Sequence, residues 1–209
     1  MLYQFYQRRI FPHILNQVMQ TASLMDKRRE LLLPIQGEIL EIGFGTGLNI
    51  AFYGNVDTLY ALEPNAEIYH LAAERVQHAP FYVKHIQAGV EKLPFADSSV
   101  DHIVSTWTLC SVAKLEPALA EIYRVLKPNG TLHLVEHVKH PSSGKIQTLQ
   151  TLLTPVQKRL ADGCHLNRDI EAHLTEAKFN FVEKRYFDAA GIPTVAQTML
   201  FARLQKAAL

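Results

Sequence analysis

The chain is poor in cysteine and in net charge, and it has no long apolar segment. Two cysteines, Cys110 and Cys164, occur in 209 residues, too few for a disulfide framework, which favours a reducing compartment. A formal net charge of +1 gives no electrostatic basis for binding nucleic acid. No apolar run approaches the ~18 residues that a membrane-spanning helix needs. We therefore expect a cytoplasmic protein with no nucleic-acid partner and no transmembrane segment.

Strand and helix patterns alternate from residue 38 to residue 130. Hydrophobic residues make up 48% of the sequence and charged residues 20%, which is typical of a folded domain with a buried core. The alternation predicts a parallel sheet built from right-handed crossovers. The five predicted strands are Ile39–Ile42, Thr58–Leu62, Val83–Gln87, His102–Thr106 and Thr131–Glu136. An amphipathic helix is predicted at Leu115–Leu126, between the last two of them.

The last third of the chain has a different pattern. Residues 145–160 predict a long helix that is interrupted or ended near Pro155, and residues 168–177 predict a short helix. Residues 179–187 and 195–203 alternate as strands do, which predicts an antiparallel pair that closes the sheet. The sequence thus predicts an α/β fold with seven strands, mainly parallel.

A glycine-rich turn, Glu41–Gly47, follows the first predicted strand and precedes a helix that is expected to start at Leu48. Its three alternating glycines let the backbone turn tightly and approach a ligand, with the free N–H groups of the helix facing that ligand. A dinucleotide site would need a third glycine where Leu48 stands. Glu41 would repel a pyrophosphate but attract an ammonium group. S-adenosylmethionine (SAM) carries an ammonium and no phosphate, so the turn favours SAM over NAD.

A second acidic residue, Glu63, ends the next predicted strand. An acidic residue about 20 positions beyond a glycine turn is placed to accept hydrogen bonds from both ribose hydroxyls. Together with Glu41, this spacing predicts a SAM site more specifically than the glycine turn does alone. The alternative is a strand–helix turn that binds nothing, with Glu63 as a solvated charge.

Further segments resemble a known family. Residues 91–101 and 121–130 are similar to class I SAM-dependent methyltransferases, in the branch that includes ubiquinone and menaquinone C-methyltransferases. Residues 106–112, 135–138 and 162–168 resemble bacterial relatives of the methyltransferase-like proteins that methylate alkyl thiols. The resemblance, which spans about residues 37 to 204, implies a Rossmann-like three-layer sandwich with a seven-stranded, mainly parallel sheet and an antiparallel C-terminal strand.

The same resemblance implies a reaction and a set of cofactor-binding residues. A methyl group would pass from SAM to a small-molecule acceptor by in-line displacement, leaving S-adenosylhomocysteine. The acceptor would be a thiol, or else a quinone precursor, phenol, amine or lipid. The residues implied for SAM are Glu41, Gly43, Phe44, Gly45, Thr46, Asn49, Glu63, Pro64, Gly89, Val90, Glu91, Thr106 and Trp107. Many relatives have an aspartate where Gly89 stands, so side-chain recognition of adenine is not expected here.

The candidate catalytic residues are His137, Asp162 and His165. His137 follows the fifth strand, and the ordinary imidazole pKa of ~6.5 suits a general base. The alternative is that His137 caps a loop or pairs with Glu136. The turn from Asp162 to Arg168 is expected to close over the acceptor, or else it is a solvated connection. The histidines are scattered without ligand spacing, which predicts no metal site.

The N-terminal residues 1–36 are expected to form a helical cap on the methyltransferase domain of residues 37–209. Apolar residues share one face of this segment: Ile14, Leu15, Val18, Met19 and Ala22. Three interpretations stay open, in decreasing order of preference: the segment caps the acceptor pocket, packs on the core, or makes a peripheral membrane contact through its basic flanks. A catalytically silent SAM-binding interaction protein is the alternative to an enzyme. Either would be a monomer or a homodimer.

Overall fold

A computed structural model describes residues 5–207, apart from the side chains of residues 7 and 8. Its seven strands are β1 Gln36–Ile42, β2 Asn55–Leu62, β3 Tyr82–Ile86, β4 Val100–Thr106, β5 Leu126–His137, β6 Phe179–Asp188 and β7 Thr198–Lys206. They form one sheet in the order β3-β2-β1-β4-β5-β7-β6. Strand β7 runs antiparallel to both of its neighbours, whereas the pairs among β1 to β5 are parallel. The predicted fold is confirmed.

The sheet separates two apolar layers, because successive side chains of a strand point to opposite faces. In β1, Leu40 joins one buried cluster while Ile39 joins the other. In β4, Ile103 and Val104 divide in the same way. Both faces of the central strands are therefore covered, which explains their nearly continuous apolar sequence. The result is a three-layer sandwich.

Seven α-helices connect and flank the strands within the described residues. They are α1 Phe11–Val18, α2 Ala22–Leu32, α3 Ala66–His70, α4 Ala73–Gln77, α5 Leu115–Val125, α6 Gly144–Leu160 and α7 Ile170–Glu176. A π-helical turn, Tyr6–Ile10, precedes α1, and a 3₁₀ helix, Leu48–Phe52, follows the glycine turn. The helix expected to start at Leu48 is therefore a short 3₁₀ segment. No helix within residues 5–207 is long and apolar enough to cross a membrane.

The expected interruption of the long helix near Pro155 is wrong, since α6 continues through Pro155 to Leu160. A proline inside a helix costs about 3 kcal/mol, and tertiary contacts offset that cost. Gln150 is fully buried and donates to the carbonyls of Val138 and Val195. These contacts hold the N-terminal half of α6 against the segments that follow β5 and precede β7, whatever the local preference of the proline.

The N-terminal segment is not one continuous amphipathic helix. It divides into α1 and α2, with a break between Met19 and Thr21. Two residues of the predicted apolar face, Ile14 and Val18, are 46% and 43% exposed. Phe11, which is 5% exposed, provides the buried contact of α1 instead.

Candidate active site

One cavity of about 380 Å³ opens at the carboxyl ends of the central strands. Strand order reverses there, with β2 on one side of β1 and β4 on the other, which is where open α/β sheets bind ligands. The predicted site residues that line it are Glu41, Gly43, Phe44, Gly45, Thr46, Asn49, Glu63, Pro64, Thr106, Trp107, His137 and Asp162. Four other predicted site residues, Gly89, Val90, Glu91 and His165, are not among its lining residues.

The glycine turn requires glycine for two reasons. Gly43, Gly45 and Gly47 have φ angles of +67°, +59° and +75°, which L side chains rarely adopt. A Cβ atom on Gly43 would lie 2.1 Å from Oγ1 of Thr108. That hydroxyl is itself held, because it donates to the Ile42 carbonyl at 3.2 Å. The turn after β1 therefore packs directly against the loop after β4.

Glu41 lies at the floor of the cavity and is 1% exposed. Its carboxylate accepts hydrogen bonds from Asn49 Nδ2 at 2.9 Å and from Tyr53 Oη at 2.6 Å. Burial raises the pKa of Glu41 to about 7, although both hydrogen bonds oppose the shift. A carboxyl with this pKa ionises readily when a cation arrives beside it.

Arg28 is a cavity residue that the sequence interpretation did not single out. Its side chain is 4% exposed, and Nε donates to Asn49 Oδ1 at 2.9 Å. The guanidinium also lies 4.5 Å from the ring centroid of Trp107. Burial lowers the pKa of Arg28 to about 10. The residue shares the buried face of α2 with Leu24 and Leu31, so helical spacing was the signal that could have identified it.

Glu63 is buried and has a structural partner in the glycine turn. Its carboxylate accepts from the Gly45 N–H and from the Asn65 N–H, each at 2.9 Å. Burial raises its pKa. Glu63 is 6% exposed, so the interpretation of a solvated charge is wrong. It lines the cavity and also holds the turn in place.

Glu136 organises the loop that follows β4. Its carboxylate is fully buried and accepts from Ser105 Oγ at 2.7 Å and from the backbone N–H groups of Thr108, Leu109 and Cys110 at 3.0 to 3.2 Å. Burial raises the pKa of this carboxyl despite these donors. The Glu136 carboxylate thus accepts four hydrogen bonds, which hold the loop after β4 in place.

His137 meets a cysteine that is distant in sequence. Its Nδ1 lies 3.9 Å from Sγ of Cys164, and Cys164 Sγ lies 3.9 Å from Sγ of Cys110. The three residues line the cavity. His137 is 4% exposed, and its Nε2 has no hydrogen-bond partner within the described part of the chain. Neither contact of Cys164 could be predicted from the sequence, because each contact joins separate loops.

The turn after α6 is tied to the loop after β4. The His165 N–H donates to the Cys110 carbonyl at 2.9 Å, and Arg168 Nη1 donates to the carbonyls of Leu109 and Val112 at 2.6 and 2.7 Å. The His165 ring lies against Cys110 O and Arg168. Asp162 reaches the cavity in a left-handed conformation with φ of +43°. The turn thus covers one side of the cavity through Asp162, while the His165 ring is engaged behind it.

The residues present fit SAM. A cavity of about 380 Å³ lies in the range of ligand sites. Its buried Glu41 and Arg28 match the opposite charges of an amino-acid group, and Glu63 borders the same cavity.

Comparison with known proteins agrees with this arrangement. Residues 40–134 match the family model described as a methyltransferase domain. The chain is 33% identical to thiol S-methyltransferase TMT1B of Rattus norvegicus over 194 residues, covering 83% of this chain and 76% of the relative. It is 31% identical to human thiol S-methyltransferase TMT1A, covering 86% and 79%. A solved structure of a protein from Bacillus halodurans has the same fold, with a TM-score of 0.73 at 17% identity, over 90% of this chain and all of that one.

Proposed function

Because the chain belongs to the class I SAM-dependent methyltransferases, we propose that it methylates the sulfur of a small thiol. The observation that carries the proposal is that one cavity extends from the glycine turn to His137, whose buried Nε2 has no hydrogen-bond partner among the described residues. The two relatives reported above, which are 31% and 33% identical to this chain, are named thiol S-methyltransferases, and these names support the same acceptor class.

At the cofactor end, charge complementarity supports the following roles. Glu41 is the partner for the ammonium group of SAM, and Arg28 for its carboxylate. Glu63, which lies beside the glycine turn, accepts hydrogen bonds from the ribose hydroxyls. SAM supplies a methyl group that its sulfonium already activates. The protein then has to hold cofactor and acceptor in line, an effect worth up to ~7–11 kcal/mol of barrier.

At the acceptor end, His137 accepts the thiol proton. Nδ1 of His137 faces Cys164 Sγ, so a proton on Nδ1 leaves Nε2 free to accept. A free thiol has a pKa of ~8.5 and is a few per cent thiolate at neutral pH, so modest help suffices. Cys164 acts through His137 and is a positioning residue.

Residues 5–36, the described part of the predicted N-terminal cap, cover the acceptor end in this proposal. Leu15, Val18 and Met19 line the cavity from α1 and the turn that follows it. Their apolar side chains suit an alkyl or aryl thiol better than a charged one. A cytoplasmic location and a monomeric or homodimeric state stay predictions.

The test is methyl transfer from SAM labelled in its methyl group to a panel of alkyl thiols, phenols, amines and quinone precursors. We expect labelled thioethers at rates at least tenfold above any other product. His137→Gln should lower kcat by roughly 10²-fold, the usual contribution of a general base, and leave SAM affinity unchanged. Labelled phenol, amine or quinone products without thioethers would contradict the thiol assignment.

A further inference from the structure

The cavity wall contains a pair of thiols whose contact with each other has no part in the proposed methyl transfer. Cys110 and Cys164 are the two cysteines of the sequence. They lie 54 positions apart, yet their Sγ atoms are 3.9 Å apart. Both residues line the cavity. Cys110 is buried, at 2% exposure, whereas Cys164 is partly exposed. A ligand in the cavity therefore meets Cys164 first, with Cys110 behind it.

The surroundings make the two sulfurs chemically different. The Cys110 thiol and then His137 lower the pKa of Cys164 below that of a free thiol. The same hydrogen bond, together with burial, raises the pKa of Cys110. In disulfide exchange the attacking cysteine is an accessible thiolate, and the resolving cysteine is a thiol behind it. Cys164 and Cys110 have this arrangement.

The backbone around the pair is fixed. The Cys110 N–H donates to Glu136, and the Cys110 carbonyl accepts from the His165 N–H. A disulfide needs the sulfurs at ~2.0 Å, so rotation of the two side chains has to bring them together by less than 2 Å. His137, whose buried Nε2 has no partner in the described chain, lies on the same wall.

We propose that Cys164 and Cys110 form a thiol–disulfide exchange site for small organic disulfides, which releases a thiol beside the cofactor. That the released thiol is then methylated rests on the proposed function. The Cys164 thiolate attacks one sulfur of R–S–S–R, forms Cys164–S–S–R and expels RS⁻. Cys110 then attacks the Cys164 sulfur, expels the second RS⁻ and forms the Cys110–Cys164 disulfide.

The electrons and protons balance. The protein, with one thiolate and one thiol, is oxidised by two electrons to its disulfide. The substrate disulfide is reduced to one thiol and one thiolate, and the thiolate takes a proton from solvent. The proton of Cys110 passes to a released RS⁻, directly or through His137. A low-molecular-weight thiol such as glutathione then reduces the protein disulfide for the next cycle.

The test uses dipyridyl disulfide with reduced protein and no SAM. We expect wild type to release about two equivalents of thiopyridone per chain and to end with an intramolecular disulfide. Cys110→Ser should release about one equivalent and retain the pyridyl adduct in its intact mass, because no resolving thiol remains. Cys164→Ser should react at least tenfold more slowly, and the cysteine-free double variant provides the background.

Circular dichroism of each variant verifies that it is folded, and the wild-type stoichiometry needs no variant. A wild type that stops at one equivalent with a retained adduct overturns the proposal. Disulfide-linked dimers, or a Cys164→Ser variant that reacts at the wild-type rate, overturn it as well. Since no methyl group is transferred in this assay, its failure is distinct from a failure of thiol methylation.

Discussion

Buried carboxylates determine the chemistry of individual residues in this pocket. Glu41, Glu63 and Glu136 are at most 6% exposed, and hydrogen-bond donors surround each of them. Two of these carboxylates fix backbone turns, at Gly45 and at Cys110. Glu41 differs, because side chains alone donate to it in the described structure and it borders the cavity. Glu41 is therefore the carboxylate best suited to form an ion pair with a ligand cation.

The raised pKa of Glu41 predicts that SAM affinity depends on pH. Burial sets that pKa at about 7 in the free protein, and an ammonium partner should lower it. Binding then releases a proton, so affinity should rise from pH 5.5 to 7.5 and level off above the free-state pKa. Calorimetry in buffers of different ionisation enthalpy measures both the affinity and the proton.

Glu41→Gln is the matched control for this prediction. The amide keeps the shape and can still accept from Tyr53, but it cannot ionise. Its SAM affinity should be weaker at pH 7.5 by about 1–3 kcal/mol and flat across the range. If the SAM affinity of this variant depended on pH as it does in wild type, the released proton would come from another group.

Spacing in the sequence predicted the acidic residues that lie beside the glycine turn. It did not predict contacts between segments that are distant in sequence. Glu41 and Glu63 flank a glycine turn, so their spacing reveals them. The pairing of Cys110 with Cys164 depends on how two loops are fastened, which no local pattern encodes. His165 was predicted at the acceptor because it lies in the same polar turn as Asp162. Its ring lies against Cys110 O and Arg168 instead, and the cavity is lined by Asp162 alone of the two.

Among the helices, α1 separates a cavity face from an outer face. Leu15 lines the cavity, whereas its neighbour Ile14 is 46% exposed. The proposed capping role belongs to the inner face only. This division provides a variant and its control on the same helix.

Leu15→Ala should raise the KM of a thiol acceptor about tenfold and change SAM affinity less than twofold. Removing its apolar carbons from contact with the acceptor costs about 1–2 kcal/mol. Ile14→Ala should change neither quantity. Steady-state kinetics and SAM titration of both variants measure this. Equal effects of the two substitutions would indicate that α1 acts through stability, and a loss of SAM affinity in Leu15→Ala would place α1 over the cofactor.

The contact between the glycine turn and the loop after β4 predicts a stability difference between two glycine substitutions. Gly37→Ala and Gly43→Ala both impose a positive φ on alanine, at a cost of about 1–2 kcal/mol. Gly37 has nothing within 4 Å of an added Cβ, whereas Gly43 meets Thr108. We expect Gly43→Ala to lose about 1–3 kcal/mol more in denaturant unfolding. Equal losses would mean that Thr108 moves aside freely.

Across the whole molecule, the sheet was predictable because its strands carry two apolar faces. Alternate residues of β1 and β4 reach opposite layers, and this pattern survives in the sequence. Pro155 misled the prediction, because its local preference opposes contacts made by Gln150 with distant carbonyls. Long-range hydrogen bonds of that kind leave no local signature.

Global stability should fall below neutral pH because of a buried histidine. Burial lowers the pKa of His133 to about 3, whereas an unfolded histidine titrates near ~6.5. Below pH ~6.5 the unfolded chain binds a proton that the folded protein does not, so stability is lost as pH falls. Between pH 7 and pH 5, wild type should lose about 2 kcal/mol more than His133→Gln in urea unfolding. Parallel pH profiles for the two proteins would contradict the burial of this charge.

If one cavity holds both cofactor and acceptor, a crystal structure with S-adenosylhomocysteine will show the ligand in that cavity. We expect its amino group beside Glu41, its carboxylate beside Arg28 and its ribose beside Glu63. The ligand sulfur should face the side of the cavity lined by His137. A ligand bound in reverse, with adenine beside Glu41, or bound outside this cavity would show that these roles are wrong.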